Sequence, residues 1–126
     1  MVYTLEEHPI GFAATENNLA LAYSERPLGD RSENLAEAAR HYSQVLRVVT
    51  PTSCPSEFVK VITNCATACE AAGDYERAAA EFAQGIDVAE AYLAEGLETD
   101  NAVALRRVDS ALYKCYTGVV RCDVQQ

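Results

Sequence analysis

The chain has 126 residues, enough for one domain, which at this size buries about two-thirds of its unfolded surface. Apolar side chains make up 49% while proline and glycine are few, and nineteen acidic against ten basic side chains leave a net charge of −9, a field that repels phosphate backbones and anionic lipid and so argues against nucleic acid and membranes as partners. There is no uncharged apolar run of the ~18 residues a membrane span needs, Glu6, Glu7 and His8 stand where a secretion signal would be basic and then apolar, and five cysteines without a CxxC pair offer neither a closed disulfide framework nor a zinc-ribbon spacing, which places the chain in a reducing cytosol.

In chain order, Phe12, Leu19, Ala20 and Tyr23 share one face of a helix of about four turns, because side chains three, four and seven residues apart line up. A loop from Pro27 to Asn34 follows, with Gly29-Asp30 and Ser32 as turn and cap residues. The second helix carries Leu35, Ala38, Ala39, Tyr42, Val45, Leu46 and Val49 on its apolar face and is closed by Pro51 and Pro55. Phe58, Ile62, Cys65, Ala66 and Cys69 define a third helix, Gly73-Asp74 a turn, and Tyr75, Ala78, Phe82, Gly85, Val88 and Ala89 a fourth helix reaching about Ala94. Past Thr99, Leu105, Val108, Leu112, Cys115 and Val119 form the stripe of a fifth.

The first four helices repeat. Val2-Tyr3-Thr4 aligns with Val48-Val49-Thr50 at an offset of 46, which also carries Pro9 onto Pro55, Phe12 onto Phe58, Asn18 onto Asn64 and Ala20 onto Ala66. The inter-helix turn is six residues shorter in the second copy, since Tyr23 to Ala38 spans 15 residues and Cys69 to Ala78 spans 9. The fifth helix departs from the pattern, as terminal units of a repeat stack do. If Val48-Val49-Thr50 ends a helix, Val2-Tyr3-Thr4 reads as the end of another whose beginning is missing, so a piece of a longer array is one expectation.

The second copy resembles the tetratricopeptide repeat, with Ile62, Cys65, Ala66, Cys69, Ala78, Phe82 and Gly85 in the positions where that family alternates large and small residues, and Gly73-Asp74-Tyr75 at its inter-helix turn. The first copy, from Ala14 to Tyr23 and again from Gly29 to Leu35, is similar to a longer bacterial subtype found in arrays beside caspase-like CHAT peptidase domains or signalling NTPases. Gly85 where the family has alanine, and the cysteines where it has leucine and tyrosine, depart from the pattern. The resemblance implies an all-α fold, a right-handed α-α superhelix of about two helix pairs (residues about 11–50 and 56–94) with a capping helix at about 99–122, all within one domain spanning 1–126. It also implies a concave groove lined by the first helix of each pair, to which the family pattern contributes Asn17, Asn18, Leu21, Lys60, Asn64 and Thr67.

Side-chain amides at Asn18 and Asn64 can each give one donor and one acceptor to an extended peptide backbone, or can serve only to fix their own helix or loop; the two roles weigh equally. Lys60, one turn before Asn64, can meet a carboxylate. Family members that clamp a terminal carboxylate do so with several lysines or arginines, and one lysine argues against that ligand here. Cys65 and Cys69 share a face, as do Cys115 and Cys122, and four thiolates could hold zinc, but without short CxxC clips the reading as small core hydrophobes prevails. Cys54 with His8 or His41 lacks the oxyanion site and strained turn that nucleophilic catalysis needs, and His41 is read as a solvent-facing residue. Glu76, Glu81, Asp87, Glu90 and Glu95 are read as the solvated face of the fourth helix.

The resulting expectation is a non-catalytic interaction or scaffold module, without metal or cofactor, binding a peptide or protein. The alternative is a structural homo-oligomer formed through exposed repeat ends.

Overall fold

The computed structural model describes residues 4–99 and 117–120, and of 95–99 the backbone alone. All regular structure among them is helical: α1 (Pro9–Glu25), α2 (Arg31–Val45), α3 (Pro55–Ala71), α4 (Tyr75–Thr99) and a helical segment at 117–120. None of the described helices is long and apolar enough to cross a membrane. The expected helix between Leu105 and Cys115, and the expected helix end at Val2-Tyr3, lie outside the described residues.

The 46-residue period is visible down to single hydrogen bonds. Pro9 and Pro55 each open a helix, a position where the missing N–H costs nothing and the fixed φ fits. Pro55 therefore starts α3, with the close of α2 lying earlier. The residues before them, His8 and Cys54, have nearly the same backbone angles (φ −138°, ψ 70° and φ −143°, ψ 72°). His8 N donates to Thr4 O at 2.9 Å and Cys54 N to Thr50 O at 3.0 Å, while Phe12 N and Phe58 N reach His8 O and Cys54 O, both at 2.8 Å. Both helices also end 46 residues apart, at Glu25 and Ala71.

A Gly-Asp corner then turns each chain back. Gly29 and Gly73 sit at φ +88° and +91°, in the left-handed region that a side chain resists. Asp30 and Asp74 accept the N–H of Glu33 (3.0 Å) and Arg77 (3.3 Å), capping the next helix. The cap is thus Asp30 rather than Ser32, and α2 begins at Arg31, inside the stretch the sequence assigns to a loop. The connections comprise residues 26–30 and 72–74, so two of the six extra residues of the first copy lie in the connection. The other four add one turn to the start of α2.

At its far end α2 stops at Val45, short of Val49. Arg47 N bonds Gln44 O and Val48 N bonds Val45 O, both over three residues, which tightens the backbone out of the α-helix. Thr50 and Ser53 hold the corner: Thr50 N donates to Ser53 Oγ (3.2 Å) and Ser53 N to Thr50 Oγ1 (3.0 Å), a local alternative to helical bonding.

α1 packs on α2, α2 on α3 and α3 on α4. Ser24 meets Arg31 near the turn and Glu16 meets His41 further away, so α1 and α2 run antiparallel. One core joins these layers through Ala20, Leu35, Ala38, Tyr42, Cys65 and Phe82, all almost fully buried. Val119 packs against it, and Gly118 lies so close to the Phe82 ring that a Cβ there would collide with it. Leu19, expected on the apolar face of α1, is 40% exposed; Ala20 is buried as expected, and Ala13 is the other buried residue of the helix.

Candidate functional site

A groove of about 260 Å³ lies among α1, α2 and α3. Leu21 and Ser24 of α1 form one wall, Asn64, Thr67, Ala68 and Ala71 of α3 the other, and Arg31, Leu35 and Tyr42 of α2 complete it. Leu21 and Thr67 are equivalent under the 46-residue offset, so one position of the repeat lines the groove in both copies. Of the six residues assigned to it from sequence, Leu21, Asn64 and Thr67 come together here. Asn17 is half-buried, Asn18 and Lys60 are exposed, and none of the three lines this groove.

Two hydroxyls in the groove are fixed by their own helices. Thr67 Oγ1 donates to Thr63 O at 2.8 Å and Ser24 Oγ to Leu21 O at 2.8 Å, leaving each hydroxyl oxygen able to accept. Tyr42 is 2% exposed. Burial first, with the Glu25 carboxylate adding in the same sense, pushes its phenol above the ordinary tyrosine value, against an opposing hydrogen bond with Ser24. Tyr42 therefore keeps its proton and remains a donor.

Arg31 supplies the cation that Lys60 was expected to supply. Its Nη1 donates to Ser24 O at 2.5 Å, across the α1–α2 connection. It belongs to the extra turn of α2, and the six-residue difference between the copies was the sequence signal for it. Ser24, Leu35 and Tyr42 were missed for another reason: helical periodicity tells which residues share a face but not which facing helix crosses it.

Two further clusters depart from the sequence reading. His41 is buried (7% exposed) in place of facing solvent. Its Nδ1 lies 2.5 Å from Glu16 Oε2, its Nε2 3.3 Å from Arg40, and its ring stacks on Tyr23 with centroids 5.4 Å apart. The pairing with a carboxylate from α1 makes burial of a polar ring tolerable. Glu81, expected on the solvated face of α4, has a side chain only 12% exposed and turns inward, its Oε1 3.4 Å from both Cys69 Sγ and Arg77 Nε. Glu76, Asp87 and Glu90 are exposed as expected, and the Glu95 side chain lies outside the described residues.

Cys65 and Cys69 are buried and unbridged, and Cys54 is exposed at the residue preceding α3. The hydrogen bond with Cys69, then burial and the Glu81 carboxylate, push the Cys65 thiol well above the ordinary cysteine value. Cys115 and Cys122, the other half of the quartet considered for zinc, lie outside the described residues.

No protein-family model matches the chain. No curated protein matches it, and no solved structure does either.

Proposed function

We propose that the chain is a tetratricopeptide-type repeat module of the reducing cytosol that binds an extended peptide or protein segment and catalyses nothing. The observation that carries this reading is the groove itself, where equivalent positions of α1 and α3, Leu21 and Thr67, face a common space with the Asn64 amide. Apolar walls accept a ligand side chain, the amide and hydroxyls match a peptide backbone, and Arg31 is placed for a carboxylate.

The test is selection of peptides from a displayed random library against the full chain. Peptides with an apolar anchor and a nearby carboxylate are expected, and Arg31→Glu or Asn64→Ala should weaken the selected binders at least about tenfold, the scale of 1–2 kcal/mol lost with a charged or amide hydrogen bond. Lys60→Glu, outside the groove, should leave them unchanged. Binders indifferent to both groove substitutions, with helicity intact, would remove the assignment.

A second reading rests on a separate observation. Leu19, Ala22, Tyr23 and Pro27, with Glu25 and Arg26 beside them, line a shallow, mainly apolar depression on the other side of α1, and Ile10 on the same helix is 82% exposed. Exposed apolar surface of this kind favours self-association. Sedimentation over a range of concentrations decides: a dimer dissolved by Leu19→Lys supports it, and a monomer throughout discards it.

A further inference from the structure

We propose that Cys65, Cys69 and Glu81 form a binding site for a thiophilic divalent ion of the zinc class, with Arg77 as its charge-balancing neighbour. The two cysteines stand one turn apart on α3, and Glu81 reaches them from α4. Their donor atoms all lie within 4.8 Å of one another, and three points so placed are each no more than about 2.8 Å from a common centre. That is within a small side-chain adjustment of the 2.3 Å zinc–sulfur and 2.0–2.2 Å zinc–oxygen distances.

As small hydrophobes, the two cysteines account for their own burial but not for what is gathered around them. A core position filled for its volume has no use for a carboxylate, yet Glu81 turns away from solvent to place an oxygen against the Cys69 sulfur. Arg77 comes with it: its Nη2 lies 3.6 Å from Cys65 Sγ and 2.7 Å from Ser43 Oγ, and its Nε 3.4 Å from Glu81 Oε1. Two thiolates, one carboxylate and a divalent cation carry a net charge of −1, and a guanidinium beside them brings it to zero. Such neutrality matters most where water is scarce. Three protein ligands also leave a fourth coordination position open. This site is independent of the groove and of the peptide-binding reading.

The test is titration of the reduced, metal-free full chain with Co²⁺, which reports thiolate ligation by a charge-transfer absorption, followed by displacement with Zn²⁺. One equivalent per chain is expected. The Cys54→Ser/Cys115→Ser/Cys122→Ser variant should bind identically, and Glu81→Gln should keep the absorption but weaken binding at least about tenfold, the scale on which metal sites lose affinity when a supporting group is removed. Cys65→Ala/Cys69→Ala should abolish it. The absence of charge-transfer absorption in the triple serine variant, which leaves the buried pair and its surroundings intact, would overturn the proposal whether or not the alanine variant folds. Persistence of the absorption in a folded alanine variant would overturn it equally.

Discussion

Gly118 and Phe82 show how much one missing Cβ decides. Phe82 is fully buried and Gly118 lets the backbone of the last described segment rest directly on its ring, so Gly118→Ala must push the ring or the segment aside. The expected cost is about 1–3 kcal/mol, as for other overpacked cores, read as a lower denaturant midpoint. Shortening the ring by Phe82→Leu in the same chain should return part of it. Phe82 was recognisable in the sequence from its place on the helical stripe, whereas nothing in the sequence distinguishes Gly118 from a flexible glycine. His41 failed in the opposite sense. Its position on α2 is the same whether it faces water or Glu16, and only the partner, 25 residues earlier on another helix, settles its burial.

At the scale of elements, what could be read was whatever repeats. The Gly-Asp corners and the buried face of α3 follow from local chemistry, since each needs only its own neighbours, whereas Pro55, read as the close of α2, opens α3. The length of α2 did not follow, because Leu46 and Val49 continue an apolar helical stripe that the Thr50–Ser53 corner interrupts from outside. That corner gives an unequal pair of variants. Thr50 exchanges bonds with Ser53 through both backbone and hydroxyl, while among the described residues the hydroxyl of the equivalent Thr4 accepts from Glu7 N alone, at 3.2 Å. Thr50→Val is therefore expected to lower stability by about 1 kcal/mol per lost net bond, and Thr4→Val by less. Equal thermal shifts in the two variants would show that the corner is not held by these hydroxyls.

For the whole molecule, α2 is the shared partner: it packs on α1 on one side and on α3 on the other, and its Leu35, Ala38 and Tyr42 belong to the same core cluster as Cys65 and Phe82. Repeat proteins gain cooperativity from such neighbour interfaces. Both helix pairs are therefore expected to unfold in one transition, with the helical signal and tyrosine fluorescence changing at the same denaturant concentration. Two separated transitions would mean that the α2–α3 contact is too weak to couple them. Leu21, Asn64 and Thr67, a third of the groove lining, were legible in the sequence, whereas Arg31, Leu35 and Tyr42 required knowing that α2 lies across the gap between α1 and α3.

The recurring corner before α1 and α3 carries one more implication. Threonine, proline and the four residues between them form a joint whose hydrogen bonds are local and whose angles recur in both copies. A protein built on such a joint can change its reach by copying a segment and the lining of a groove by editing one turn, as the additional turn that places Arg31 there illustrates. Growth and specialisation are then separate operations on the same sequence, and neither requires a new way of packing helices.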